Sequence, residues 1–114
     1  MSDTVRDILE RQAAQRREQL DADIAAVLET PAGRRVLMGM LAKGGVWTRT
    51  GCADGDAVRL AYAAGRRDAA ADVLAVCNRT AAGRVAQAMG ENNERVARWN
   101  AEIDAAKQNE GARR

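Results

Sequence analysis

"TPAGRRVLMGMLAKGGVW" (Thr30–Trp47) decides how the rest of the chain is read. Thr30 before Pro31 is a stop and a start at once. A threonine hydroxyl can cap a new helix, and proline fits the first helical position, where no backbone donor is required. The spacing then predicts a helix from Pro31 to about Lys43, with Val36, Leu37, Met40 and Leu41 as its apolar face. Gly44 and Gly45 end it in the manner usual for helix C-termini. An apolar pair directly after a glycine stop is expected to fold back onto the helix it leaves, so Val46 and Trp47 follow it inward and Trp47 reads as a core anchor.

Working outward, Ser2 or Asp3 can cap a first helix over about 3–29. Val5, Ile8, Leu9, Ala13, Leu20, Ile24, Val27 and Leu28 recur there at spacings of three and four, with Arg16 in the one gap. Its first half is strongly polar and holds pairs such as Arg6 with Glu10 and Arg17 with Asp21, which suits a solvated extension or a partner-binding arm. On the other side, "TRTGCADGD" (48–56) is loop by composition. Its "DGD" lacks the remaining oxygen ligands and the closing glutamate of a calcium loop, so no metal site is expected.

Asp56 caps a third helix over about 57–79, with Val58, Ala61, Tyr62, Gly65, Ala69, Val73, Val76 and Cys77 along one side. Thr80 starts or reinitiates the last helix. There Ala82, Val85, Met89, Asn92, Val96, Trp99, Ile103 and Ala106 form a heptad seam that calls for a partner strand, either the first helix or a neighbouring copy. Asn92 within the seam would fix its register. The expected fold is all-α: a small bundle of about four helices, with long N- and C-terminal helices extending from a central pair. The expected units are an arm (1–29), a central domain (30–79) and a heptad-patterned helix with its tail (80–114).

Composition agrees. Of 114 residues, 46% are hydrophobic and 30% charged, but aromatics are confined to Trp47, Tyr62 and Trp99, so the core must be built of Ala, Val, Leu, Ile and Met. Such residues, with abundant Arg, Glu and Gln, favour helix. A net charge of +2 is too small to make the whole molecule a polyanion binder. The basic side chains are nonetheless nearly all arginine, Lys43 and Lys107 being the only lysines, and guanidinium forks suit fixed contacts with carboxylate or phosphate.

There is no histidine, the commonest general base and metal ligand. Cys52 and Cys77 lack the paired spacing of a zinc or redox site, and Cys77 reads as a small hydrophobe on a helix. No metal, cofactor or catalytic constellation is expected. No apolar stretch is long enough for a membrane span, and the N-terminus lacks a signal peptide's apolar centre, which points to a reducing cytoplasm.

"AGRR" occurs twice, at Ala32–Arg35 and Ala64–Arg67. Glycine inside a helix costs about 1 kcal/mol relative to alanine and needs compensation from what it touches. If Gly33 and Gly65 face one another, the two central helices form a tight antiparallel pair, with Asp56, Asp68 and Asp72 as candidate partners for the flanking arginines. The first turn of the second helix, where backbone donors are free, also leaves room for a phosphate at Gly33. A partial third copy at Ala82–Arg84 is unevenly spaced from the other two, so this is not a solenoid repeat.

The run Thr30-Pro31-Ala32-Gly33-Arg34-Arg35-Val36-Leu37, then Leu41, Gly45-Val46-Trp47, and Tyr62 with Gly65-Arg66-Arg67, resembles the pattern of a family of small helical tailed-phage proteins, including the Bordetella short-tailed-phage type, encoded among the portal and capsid genes. Trp47 stands where that family commonly has Phe, and Ala64 where an acidic residue is frequent. The resemblance covers about residues 29–79. It implies a noncatalytic, virion-associated protein made in the host cytoplasm. Its expected place is at the portal or head-tail connector, or among internal ejection proteins, as a homo-oligomer whose partners are portal, tail or other virion proteins.

In that reading Gly33, Arg34, Arg35, Trp47, Tyr62, Gly65, Arg66 and Arg67 order the central fold or meet acidic surfaces. Val85, Met89, Asn92, Val96, Trp99 and Ile103 form the partner seam. The alternative is a small DNA-binding or packaging- or scaffolding-associated protein whose arginines contact phosphates. The loop between the second and third helices is too long for the usual helix-turn-helix turn.

Overall fold

The computed structural model describes residues 2–47 and 56–113. Three helices follow in order: α1 (Asp3–Leu28), α2 (Pro31–Gly44) and α3 (Ala57–Ala112). The all-α expectation holds, but the count is three and not four. The third and fourth expected helices are one element whose backbone departs from helical geometry at Ala81 (φ −148°, ψ 57°). The break has a local cause. The Thr80 hydroxyl lies 3.0 Å from the Val76 carbonyl one turn back and 3.1 Å from Oδ1 of Asp21 on α1. Hydroxyl back-bonding of this kind bends helices, and here a second helix holds the bend in place.

The helix ends follow from side-chain chemistry. Ser2 Oγ accepts from Val5 N–H at 3.2 Å, and Asp56 Oδ1 accepts from Val58 and Arg59 N–H at 2.9 and 3.2 Å. Thr30 serves both sides of its junction: Oγ1 accepts from Gly33 N–H and donates to the Val27 carbonyl, each at 2.9 Å. α2 closes on Gly45 in the left-handed region (φ 74°), with Gly45 N–H on the Ala42 carbonyl and Val46 N–H on the Leu41 carbonyl. This double closure brings Val46 back against the core, as expected. Trp47 does not follow: it is 52% exposed, because the closure orients only the first residue past the glycine.

The core is small. Leu28 of α1, Leu37, Met38 and Leu41 of α2, and Cys77, Val85 and Ala88 of α3 are its buried apolar members. α2 lies across the break in α3. Gly44 touches Ala70 before it, and Arg34 reaches Glu91 after it.

Two expected faces are corrected. On α2 the buried stripe is Arg34, Leu37, Met38 and Leu41, while Val36 and Met40 are exposed. On α3 the stripe from Val58 through Tyr62 faces away from the core, which begins only at Ala70 and Leu74. The Cα radius of gyration is 20.6 Å, and the principal extents are 80 × 40 × 15 Å. A compact domain of this length would have a radius near ~13 Å. The molecule is a flat hub with the first turns of α1 and both ends of α3 projecting from it.

Candidate protein-docking surfaces

The two AGRR blocks have the same sequence and opposite surroundings. Gly33 sits against the end of α1, where a Cβ would overlap the Val27 carbonyl and approach Val27 Cγ1 at 2.7 Å. Gly65 has nothing within 4 Å of an added Cβ, so the expected Gly33–Gly65 contact does not form. Helix α2 spends its close approach elsewhere, at Gly44 on Ala70.

Arg34 is only 6% exposed. Its Nε donates to Glu91 Oε1 at 2.6 Å, and its Nη1 to the Leu28 and Glu29 carbonyls at 2.9 and 3.0 Å. One guanidinium thus closes the end of α1, whose last turn holds no basic residue, and ties it to α2 and α3. A cation at a helix C-terminus is favourable because the last carbonyls carry partial negative charge. The expected partners Asp56, Asp68 and Asp72 are not used by Arg34. Asp21, expected to pair with Arg17, instead turns to Arg79 (3.2 Å) and Thr80 on α3. Glu29 takes a two-pronged contact from Arg84 (3.1 and 2.7 Å).

The remaining arginines of the blocks point outward. Arg35 and Arg67 are exposed with no ion pair among the described residues, and Arg66 lies 5.9 Å from the centroid of the exposed Tyr62 ring. Cys77 is buried in the hub, and burial pushes its thiol pKa up, which suits packing and not reactivity. Cys52, and the loop residues Thr48 to Gly55 in which it lies, are outside the described residues. The described residues contain no group of three or more metal-ligating side chains and no helix long and apolar enough to cross a membrane.

The seam divides in two. Val85 is 1% exposed and Met89 packs on the core, so this part closes within the chain. Asn92 sits half-buried at the edge, 3.4 Å from Arg95 Nη2. Val96, Trp99 and Ile103 continue the same stripe into solvent, Trp99 being 57% exposed.

A second surface is not legible in the sequence, because helical spacing alone does not separate its members from the core. Leu20, Ile24, Val27, Val36, Met40 and Val73, drawn from all three helices, line adjoining apolar grooves of about 440, 290 and 390 Å³. Charged residues on them are few: Asp23, Asp72, Lys43 and Arg66. Glu91, the partner of Arg34, was also missed. A clue existed in Arg34 itself, which falls on the stripe of Leu37, Met38 and Leu41 where a solvated cation would not.

The accessible surface totals 8623 Å². A compact monomer of this length exposes roughly 6,100 Å², and the excess follows from the extended shape, with the ends of α1 and α3 projecting from the hub. The exposed apolar face of Leu20, Val27, Val36, Met40 and Val73 is contiguous surface of the kind that marks sites of association. Comparison with known proteins agrees with the family resemblance: the model of a family described as Bbp19-like phage protein matches residues 24–90, which include both AGRR blocks. No curated protein and no solved structure gives a significant match.

Proposed function

We propose, from the premise that the chain belongs to the family of Bbp19-like phage proteins, that it is a noncatalytic structural component of the phage particle. It docks on portal, head-tail connector or neighbouring virion proteins, internal ejection proteins included. The observation that carries this reading is the apolar face shared by the three helices: Leu20, Val27, Val36, Met40 and Val73 are exposed side by side on a hub held together from behind. A surface that would leave a free protein prone to aggregation is retained where a partner covers it.

The noncatalytic reading rests on the sequence, which offers no histidine and no paired carboxylates for acid–base work. The exposed part of the α3 seam supplies a second contact, between copies, as suits the symmetric multiplicity of such assemblies. The four block arginines divide accordingly. Arg34 is consumed in holding the hub and cannot reach phosphate, whereas Arg35, Arg66 and Arg67 are free to meet acidic protein surfaces.

The test is incorporation. Purified phage particles carrying wild-type protein are compared by mass spectrometry with particles made with Val36→Asp plus Met40→Asp, which alters the exposed face and spares the buried stripe. The expected result is wild-type protein in the particle and loss of the variant. Absence of the wild-type protein from particles, or binding of the isolated protein to duplex DNA that falls steeply with salt, would overturn the proposal and favour a packaging or DNA-binding role.

A further inference from the structure

We infer that the free end of α3 pairs antiparallel with the same segment of a second copy of this chain, setting Val96 against the partner's Trp99 and Arg95 against the partner's Glu102. The inference rests on the proposed contact between copies and adds its direction and register.

Direction follows from what already occupies the stripe. Val85 and Met89 lie on the same line as Val96, Trp99 and Ile103; Val85 is buried in the core and Met89 packs against it, with Met38 of α2 alongside. In a parallel pair both copies would carry their own α2 into the space between the two α3 segments. Packed helices approach to about 8–10 Å between axes, which leaves no room for it. In an antiparallel pair the two hubs sit at opposite ends.

Register follows from charge. With Val96, Trp99, Ile103 and Ala106 as the inward positions, Arg95 and Glu102 occupy equivalent flanking positions one heptad apart, where ionic pairs set orientation and partner choice. Aligning Val96 with the partner's Trp99 places Arg95 opposite the partner's Glu102, and the two-fold axis repeats the pair. It also sets a small side chain against a large one at both central layers. Sliding the pair outward by one heptad instead brings Glu102 against the partner's Glu102, a like-charge contact. In the favoured register Ile103 meets the partner's Asn92, at the edge of the covered part of the stripe. That residue borders a groove of about 230 Å³ lined by Met38, Trp47, Met89, Asn92 and Asn93, so the end of each α3 covers the neighbour's exposed Trp47.

Sedimentation equilibrium of the full chain tests this, with Arg95→Glu, Glu102→Arg, the double reversal and Trp99→Ala, each checked for helicity by circular dichroism. The expected results are a wild-type dimer, weakening by about tenfold or more for each single reversal because two attractive pairs become repulsive, recovery in the double reversal, and dissociation by Trp99→Ala. A dimer indifferent to Arg95→Glu, or not recovered by the double reversal, overturns the register while leaving self-association intact. A wild-type monomer at every concentration overturns both, whatever the particle-incorporation result.

Discussion

Arg34→Met isolates the contribution of one guanidinium, since methionine keeps much of the apolar stem and removes only the charged head. The variant loses three hydrogen bonds: one to Glu91 and two to the carbonyls that end α1. Bonds from a charged donor contribute about 1.5–3 kcal/mol each when buried. The full sum does not apply, because the Glu91 side chain is 29% exposed and can regain water. The Leu28 carbonyl belongs to a residue that is 2% exposed and loses its Arg34 partner outright. The expected loss is therefore about 3 kcal/mol, a large part of the ~5–15 kcal/mol that holds a typical domain.

Urea unfolding followed by far-UV circular dichroism measures it, and a thermal midpoint lower by roughly 10–15 °C should accompany it. Arg34→Lys should recover only part, since an ammonium cannot present the fork that reaches Glu91 and two carbonyls together. Combining Arg34→Met with Glu91→Gln should cost less than the two single losses added, because the pair is shared. A loss below about 1 kcal/mol for Arg34→Met, or full additivity with Glu91→Gln, would refute the view of this residue as the tie between the three helices.

Further outcomes can be measured on the same protein. Gly33→Ala should destabilise by about 2 kcal/mol or more because its methyl meets the Val27 backbone, whereas Gly65→Ala, in open space, should stabilise by up to about 1 kcal/mol; chemical denaturation of both variants reads the contrast. Thr30→Ala removes a cap and a bond to the Val27 carbonyl and should cost about 1–2 kcal/mol in the same assay. Because the Cys77 thiol pKa is raised in the fold, stability from keeping it protonated is fully present below the unfolded thiol pKa near ~8.5 and declines as pH rises through the folded value. Urea midpoints should therefore fall as pH rises from the unfolded thiol pKa to the folded one in wild type, and fall less in Cys77→Ala. Native Cys77 should also react with iodoacetamide far more slowly than the unfolded chain.

The punctuation of this fold was legible because it is local. Thr30 and Pro31, Gly44 and Gly45, and Asp56 each act within a turn of themselves, and Thr80 marked the discontinuity next to it even though hydrogen bonding carries the helix through. The faces were less legible. On α2 both Val36 with Met40 and Leu37 with Leu41 satisfy helical spacing, and only the position of the other helices decides which pair is covered. The AGRR repeat misled for the same reason: one tetrapeptide meets the end of α1 and the other meets open space, a difference no local rule contains. Glu91 lies far along the chain from Arg34, so their pairing became visible only once α2 was laid across α3. The family, in contrast, was legible from the residues of α2 and the two blocks together.

The placement of α2 across the discontinuity at Ala81 gives the molecule mechanical leverage. From Ala82 to Ala112 the helix extends about 45 Å at a rise of 1.5 Å per residue. A change of about 10° at the bend therefore swings its far tip through roughly 8 Å. Besides the hold of Asp21 on Thr80, α2 braces this angle as a strut, seated at Ala70 on one side and at Glu91 on the other. Small adjustments where its two ends are seated are thereby magnified at Trp99 and Ile103, where a neighbouring molecule would feel them.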